Sequence, residues 1–461
     1  MSNTQDLLKV ELDQLQCHFT WAPQRENIDL DDMKQRLQDS IDLKMKYQTR
    51  SYNQLAFVNC LQGKCEEAIQ NLSTAETILR ENHEDEFDKR IIITYGNYAW
   101  VYYHKGQLTK AQSYLDKLER ICQQFPDASR YTAMIPEVYG EKGWSLLNSG
   151  VQQYKEAMEC FETALEQDPS NTDWIVGYAI VLSRLEQLSG VTESVDSSHS
   201  VKQWRRVLKL DPNDAEAMVQ LALKLRVFEQ YEEADTLVKQ ALEKSPGVPY
   251  VLRYAAKFYR CAGNIEKALK LLDKALKMSP NSAFLHHQKG ACYQNKIKTL
   301  KKTRGSIDSG KIDKLINDCK DCFTKAFELK PSFIIAKLNY AHVCSINGEY
   351  REAEKIYNEL LELENTCPEN KQDIRFEVGL FEQNYKHSKS NAIKYLLEGF
   401  KIKYDSKSRN NCRTHLEKIA ENPQQDIVAF CIRGIIHMLD GEECFEKILE
   451  IERGKIVTCS R

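Results

Sequence analysis

Apolar residues recur along most of the chain at i, i+3, i+4 and i+7, the spacing of one helix face. Segments of this kind come in pairs separated by short turns. Four of them read as the first helix of a pair, namely "YGNYAWVYYHKGQ", "VYGEKGWSLLNSG", "LRYAAKFYRCAGN" and "LNYAHVCSINGEY". Gly106, Gly263 and Gly348 come just before the second helix, where a tight turn favours glycine. The pattern predicts a succession of helix–turn–helix units.

The end of the second helix repeats at a fixed interval. Pro212, Pro246 and Pro280 are spaced 34 residues apart, and "EEADTLVKQALEKSP" aligns with "EKALKLLDKALKMSP". That interval is the period of the tetratricopeptide repeat, and the proline ends the second helix. One pair cannot bury its apolar face alone, so pairs stack. We therefore predict an all-α tetratricopeptide-repeat superhelix of about eight to ten helix pairs, with a central groove or tunnel.

Two longer intervals interrupt the repeat. From Pro169 to Pro212 there are 43 residues, including the Ser-rich "SGVTESVDSSHS", and from Pro280 to Pro331 there are 51. The residues by which the second interval exceeds the 34-residue period include "IKTLKKTRGSIDSGK", which predicts an extended helix end and an exposed loop. We expect an N-terminal helical segment at 1–48, repeat subdomains at 49–212 and 213–365, and a degenerate one at 366–461.

Composition narrows the class of protein. The chain has 461 residues, 42% of them hydrophobic, with a net charge of −3. It can bury a core, and its charge balance argues against coating nucleic acid with the whole surface. No apolar run reaches the length of a membrane span, and the polar, acidic N-terminus does not read as a signal peptide. We expect a cytoplasmic protein without a membrane partner.

Motifs for catalysis or for a cofactor are lacking. Cys319 and Cys322 have C-x-x-C spacing, but neither a second pair nor a histidine at ligand spacing accompanies them, so we interpret the pair as structural. The sequence contains no phosphate-binding glycine loop, nucleophile elbow or zincin motif. We expect a binding protein rather than an enzyme, with no cofactor and no metal.

One predicted first helix combines tyrosines with cations. In "PYVLRYAAKFYR", Tyr250, Arg253, Tyr254 and Lys257 fall on one face, and Arg260 lies a turn further on. Similar side chains occur in other first helices or close to them: Trp144, Tyr154, Ile180, Arg184, Phe284, His287 and Gln288. If the chain curls, these residues line one inner wall.

Two ligands fit such a wall, and Trp144 and Tyr254 also fit the packing consensus of the repeat. Arginine and lysine bind phosphates while aromatic rings stack on bases, which suits single-stranded nucleic acid. The same cations can hold a peptide carboxylate. Composition alone favours a peptide ligand, because peptide binding is the commoner use of this fold. The aromatic content makes this preference over single-stranded nucleic acid smaller.

Several segments resemble the interferon-induced proteins with tetratricopeptide repeats. They are "LQCHFTW", "TYGNYAWVYYHKGQLTKAQSYLDK", "EKGWSLL", "GYAI", "LALKL", "PYVLRYAAKFYR" and "FLHHQKGACY", in that order over nearly the whole chain. The family comprises cytosolic antiviral effectors, and its RNA-binding members hold the 5′ end of single-stranded RNA in a positively charged tunnel. The resemblance implies recognition of a 5′-triphosphate, or of a cap lacking 2′-O-methylation, and a block of translation.

The resemblance also assigns residues by position. It implies that Trp144 stacks on the cap guanine beside Ile180, with Tyr154 and Arg184 near the first ribose. Tyr250, Tyr254 and Phe284 complete the expected aromatic surface. The expected phosphate-binding side chains are those of Arg36, Arg184, Arg253, Lys257, Arg260, His287 and Gln288.

At four positions the sequence departs from the family pattern. Asn148 replaces a cation, Ser40 a glutamine, Lys44 a leucine of the cap pocket, and Glu216 a tunnel tyrosine. These changes favour the 5′-triphosphate over the cap. They also suit an alternative function, a protein–protein scaffold in innate immune signalling that binds related repeat proteins or translation and signalling proteins.

Overall fold

The computed structural model describes residues 2–21, 30–42, 48–189, 194–302, 309–364, 366–421 and 426–440. Within these ranges the regular structure is helical, with short 3-10 turns at Glu84–Glu86 and Val151–Gln153. The α-helices are α1 Ser2–Leu12, α2 His18–Trp21, α3 Leu30–Asp42, α4 Gln48–Leu61, α5 Cys65–Asn82, α6 Phe87–His104, α7 Leu108–Cys122, α8 Pro136–Ser149, α9 Tyr154–Gln167, α10 Thr172–Ser189, α11 His199–Leu210, α12 Ala215–Val227, α13 Tyr231–Lys244, α14 Pro249–Cys261, α15 Ile265–Met278, α16 Ala283–Lys302, α17 Ser309–Leu329, α18 Ile334–Ile346, α19 Tyr350–Leu361, α20 Pro368–Asn384, α21 Lys389–Lys401, α22 Lys407–Ala420 and α23 Asp426–Asp440.

Helices α4 to α23 pack as ten successive pairs over the described residues, from α4 with α5 to α22 with α23. The prediction of an all-α repeat fold with about eight to ten helix pairs is confirmed. The first helices also contact one another in succession, α4 with α6, α6 with α8, α8 with α10, and α12 with α14. They form a layer of their own. Among the described helices, none is both long and apolar enough to span a membrane.

The chain divides into two compact units, Met1–Phe333 and Ile334–Arg461. In the first unit, one core extends from Leu146 to Cys292 and a second contains Leu8, Trp100 and Val138. In the second unit, Leu338 and Tyr357 belong to one core cluster, and Leu396 and Leu416 to another. Alanine at the helix contacts, such as Ala222, Ala255 and Ala268, lets neighbouring helices approach closely.

The repeat signals in the sequence correspond to helix ends. Helices α11, α13 and α15 each end two residues before a proline of the 34-residue series. Gly106, Gly263 and Gly348 adopt φ of 75°, 82° and 83° in the turns between paired helices, a conformation that costs other residues strain. Side chains cap several starts, as Asp214 does by accepting from the Ala217 N–H.

The two long intervals have different origins. In the first, α10 has 18 residues, and Ser198 of the Ser-rich segment caps α11 by accepting from the Val201 N–H. In the second, α16 and α17 have 20 and 21 residues, so both helices are extended. The centre of the predicted loop, residues 303–308, lies outside the described residues. The predicted N-terminal helix is α3, and the C-terminal repeat is described only as far as residue 440.

Candidate functional site

Aromatic rings surround the guanidinium of Arg253 on three sides. Its Cζ lies 4.5 Å from the ring centre of Tyr254, 5.4 Å from that of Tyr250 and 4.4 Å from that of Phe284 on α16. Lys257 Nζ lies 6.0 Å from the Tyr254 ring. We call Tyr250, Arg253, Tyr254, Lys257 and Phe284 the cation–aromatic stripe. The predicted common face of α14 is confirmed, and α16 adds to it.

The pKa values of the two tyrosines in the stripe shift in opposite directions. Burial raises the pKa of Tyr250, and the carboxylate of Glu216 adds to that effect. Burial acts in the same direction on Tyr254, but the charges of Arg253 and Lys257 outweigh it and lower the pKa of that phenol. Gln220 Nε2 donates to the Tyr250 hydroxyl at 2.6 Å and anchors the stripe to α12. The local field at Tyr254 is therefore positive.

A second group of predicted residues adjoins the stripe. His287 is buried, its ring centre lying 5.0 Å from that of Phe333 and 6.4 Å from that of Phe284. Burial, together with the charge of Arg260, lowers the pKa of His287 to about 4, so the imidazole is neutral at pH 7. Buried Nε of Arg260 and Oε1 of Gln288 have no hydrogen-bond partner among the described residues. Buried polar atoms normally have a hydrogen-bond partner, so both are exceptions to that rule.

Trp144 lies among charged residues that the sequence prediction did not include. The Cζ of Arg50 is 4.4 Å from the centre of its indole ring. Arg50 donates to both carboxylate oxygens of Glu141 at 3.1–3.3 Å and to those of Asp173 at 2.5 and 3.4 Å. We call Arg50, Glu141 and Asp173 the Arg50 cluster. A cavity of about 230 Å³ adjoins the cluster and is bordered by Asn53 as well.

The Arg50 cluster is buried and tightly coupled. Burial raises the pKa of Asp173, and the Arg50 charge opposes that rise. For Arg50, burial opposes the charge, but the two carboxylates outweigh it and raise the guanidinium pKa. The indole N–H of Trp144 lowers the pKa of Asp173 without forming a hydrogen bond of standard geometry within the described structure. One guanidinium thus faces two carboxylates beneath Trp144.

Arg184 and Tyr154, which the resemblance places near the first ribose, contact each other directly. Arg184 Nη1 donates to the Tyr154 hydroxyl and to the Leu147 carbonyl oxygen, both at 3.0 Å. Ile180 is half-buried against the same core as Trp144 and Tyr154. Among the described residues, no carboxylate lies within 4.0 Å of the charged groups of Arg184, Arg253, Lys257 or Arg260.

The positions that depart from the family pattern take other contacts. Asn148 Nδ2 donates to Gln54 Oε1 at 3.1 Å, and the Ser40 hydroxyl lies 3.3 Å from that of Ser51. Arg36 is exposed on α3. Lys44 lies outside the described residues. Cys319, of the C-x-x-C pair, donates from its thiol to the Gly290 carbonyl at 3.2 Å, which fits a structural role.

Sequence reasoning missed the Arg50 cluster and Gln220. A signal was present in α4, where Arg50, Asn53, Gln54 and Asn59 are buried polar residues in one short helix. Buried polar side chains require partners, so such a run indicates long-range contacts. The partners of Arg50 are 91 and 123 residues away, and spacing alone could not identify them.

The fold and the site define a class of protein, a tetratricopeptide-repeat protein that carries cationic and aromatic side chains on its first helices. Family profiles described as tetratricopeptide repeat match residues 47–127, 136–171, 219–283 and 335–367. Among the described residues, no group of three or more His, Cys, Asp or Glu could hold a metal ion. Repeat proteins of this class use the surface of the stacked repeats to bind other molecules.

The chain belongs to the interferon-induced proteins with tetratricopeptide repeats. It is 36% identical to the human antiviral innate immune response effector IFIT1 over 458 residues, 96% of each chain. It is 34% identical to human interferon-induced protein with tetratricopeptide repeats 2 over 430 residues, covering 91% of this chain and 88% of that one. The predicted family is confirmed.

Solved structures of human IFIT1 share the fold. The dimer with m7Gppp-AAAA matches with a TM-score of 0.76 and 35% identity, over 98% of this chain and all of the other. The dimer with PPP-AAAA matches with a TM-score of 0.74 and 34% identity over the same shares. Capped and triphosphate oligonucleotides are both ligands of that relative.

Proposed function

We propose that this chain is an interferon-induced antiviral effector that binds the 5′ end of single-stranded RNA and blocks its translation. The ligand carries a 5′-triphosphate or a cap that lacks 2′-O-methylation. The observation that carries the proposal is the Arg253 guanidinium, enclosed by three aromatic rings and without a carboxylate partner among the described residues. The named complexes of human IFIT1 with capped and triphosphate RNA support it.

The stripe suits a strand of RNA better than a peptide. A guanidinium binds phosphate oxygens with two parallel hydrogen bonds, and adjoining tyrosines present ring faces to bases or sugars. A peptide carboxylate needs one cationic site, whereas this chain supplies several cations on two helices, Arg184 on α10 and Arg253, Lys257 and Arg260 on α14. An RNA strand carries one phosphate per nucleotide and can therefore contact several of these cations at once. We accordingly assign these side chains to the phosphates of the RNA backbone.

The neighbouring polar groups have roles that do not depend on charge. His287 is neutral at pH 7 and Gln288 is an uncharged amide, so both can form hydrogen bonds to sugars or bases near the stripe without contributing charge. Tyr154 holds Arg184 in place through its hydroxyl. These side chains orient the ligand while the cations bind it, and no step of the proposal requires catalysis.

The test compares affinities for three RNAs of one sequence that end in a 5′-triphosphate, a cap lacking 2′-O-methylation or a 5′-hydroxyl. We expect the triphosphate RNA to bind at least tenfold more tightly than the hydroxyl RNA, since each charge-assisted hydrogen bond contributes about 1.5–3 kcal/mol. Arg253→Glu should remove that difference. Lys274→Glu makes the same charge change at an exposed position of the second helix α15 and should preserve it.

Equal, weak binding of all three RNAs would contradict the proposal. A translation assay gives a second reading, because the protein should inhibit a reporter RNA with a 5′-triphosphate and spare one with a 5′-hydroxyl. The scaffold alternative makes a different prediction: partners that co-purify with the chain should survive nuclease treatment, while RNA selectivity should be missing.

A further inference from the structure

The indole of Trp144 already has a planar cation over it. The Arg50 Cζ lies 4.4 Å from the centre of the ring. Aromatic groups in van der Waals contact lie at about this separation. The guanidinium therefore occupies the position that a base would take if it stacked on that face of Trp144.

Part of the indole packs against the interior. The ring of Phe161 is fully buried and stands at 83° to Trp144, with 5.6 Å between the ring centres. Trp144 itself is half-buried against the core that contains Phe161 and Leu147. Phe161 thus makes an edge contact with the indole, while the guanidinium of Arg50 lies over one of its faces.

Arg50 is held firmly in this position. Glu141 and Asp173 accept hydrogen bonds from its Nε, Nη1 and Nη2, and only 9% of the residue is exposed. Moving the guanidinium aside would leave two carboxylates unpaired, and Asp173 is only 8% exposed. Breaking a buried ion pair by displacing one partner is strongly unfavourable. A guanine base, even when N7-methylation makes it cationic, lacks the fork of N–H donors with which the guanidinium satisfies both carboxylates.

The phosphate side of the site is not blocked in this way. Arg184 uses Nη1 to contact Tyr154 and Leu147, and its other nitrogens have no hydrogen-bond partner among the described residues. These nitrogens can donate to phosphate oxygens in the paired geometry typical of arginine. The site therefore offers donors to a terminal phosphate while the stacking position beside it is filled.

We propose that Arg50 determines the specificity for the 5′ end: by covering Trp144 it excludes a cap guanine and selects RNA with an uncapped 5′-triphosphate. This inference rests on the proposed function and narrows its ligand from two chemical classes to one. Arg50 acts through the position it occupies on the indole, with Glu141 and Asp173 holding it there.

The experiment measures the ratio of affinities for capped and 5′-triphosphate RNA of one sequence, in the full chain. The wild-type protein should bind the triphosphate RNA at least tenfold more tightly. The combined variant Arg50→Met, Glu141→Gln, Asp173→Asn removes the guanidinium without leaving carboxylates unpaired. Its capped-to-triphosphate affinity ratio should rise about tenfold, because one base stacked on an aromatic ring contributes that much.

Further variants keep the test decisive. Adding Trp144→Ala to the combined variant should abolish the gain in capped binding. Arg50→Lys preserves the charge but loses the planar group, and should give a smaller rise of the ratio even if the combined variant does not fold. Lys274→Glu should leave the ratio as in the wild type.

Two results would overturn the inference. One is equal affinity of the wild-type protein for both RNAs. The other is a loss of triphosphate binding in the Arg50 variants without any gain for capped RNA, which would make Arg50 a phosphate ligand. If neither RNA binds better than the 5′-hydroxyl RNA, the proposed function fails and the inference fails with it.

Discussion

At the scale of single residues, burial decides the charge of two histidines. Burial lowers the pKa of both His18 and His287 to about 4, from an ordinary value of 6.5. His18 is held by Asn97, whose Nδ2 lies 3.1 Å from Nδ1 of the ring. Each imidazole is neutral in the folded protein at pH 7, and in the unfolded chain each would bind a proton near pH 6.5.

This burial predicts a pH dependence of stability. Between pH 6.5 and pH 4 the unfolded chain binds more protons, so the free energy of unfolding falls as the pH falls through that window and is fully retained above it. From pH 7 to pH 5 each histidine should contribute a loss of roughly 2 kcal/mol. Urea unfolding at the two pH values measures this loss.

His18→Gln serves as the paired variant, because it removes one of the two buried histidines and leaves the cation–aromatic stripe unchanged. Its loss of stability between pH 7 and pH 5 should be smaller than that of the wild type by roughly 2 kcal/mol. Carboxyl groups that titrate in this window affect both proteins equally and cancel in the difference. An unchanged loss would show that His18 is not the neutral group that its burial indicates.

At the same scale, the sequence located the cations and rings of the stripe but not their neighbours. Helical spacing placed Tyr250, Arg253, Tyr254 and Lys257 together, because contacts within one helix follow from its period. The contact between Arg253 and Phe284 joins two helices, and that between Arg50 and Glu141 joins residues 91 positions apart. Such contacts depend on packing, which no local pattern specifies.

At the scale of the element, glycine on a first helix creates the space for an aromatic ring on an adjacent helix. A Cβ at Gly177 of α10 would lie 2.4 Å from Cζ of Phe161 on α9, and one at Gly290 would lie 2.6 Å from Phe323. Phe161 and Phe323 are fully buried, so neither ring can move aside freely. These glycines permit close helix approach rather than a turn.

Gly177→Ala should therefore destabilise the protein. Overpacking a rigid core costs about 1–3 kcal/mol, which corresponds to a fall in the melting temperature of a few degrees. Gly247→Ala is the control, since the nearest atom to its added Cβ lies 4.0 Å away and belongs to the Met278 side chain. Thermal unfolding of the two variants gives the comparison, and equal melting temperatures would contradict the packing of Phe161 against α10.

At the scale of the whole molecule, the charge is nearly balanced. The chain has 64 Lys and Arg against 67 Asp and Glu, a net charge of −3. Long-range attraction of RNA by the total charge is therefore excluded as the source of affinity. Under the proposed function, affinity for RNA must come from local cations without carboxylate partners among the described residues, such as Arg184 and Arg253.

The local origin of the charge predicts a moderate salt dependence of binding. If about four phosphates are neutralised, a plot of log K against log salt concentration should have a slope near −3, because single strands release about 0.7 counterion per phosphate. Arg253→Glu should make the slope less steep, whereas Lys274→Glu should not. Titrations between about 50 and 200 mM salt measure the slope. A slope near zero would point to a ligand other than RNA.

The sequence by itself determined the repeat, the ends of its helices and the common face of α14. Those features follow from local rules: the 3.6-residue period, the turn glycines and the helix-ending prolines. Only the tertiary structure decided that Arg50 lies over Trp144 and that His287 is neutral, because both depend on which distant side chains share a buried volume. Burial and long-range pairing are properties of the packed molecule.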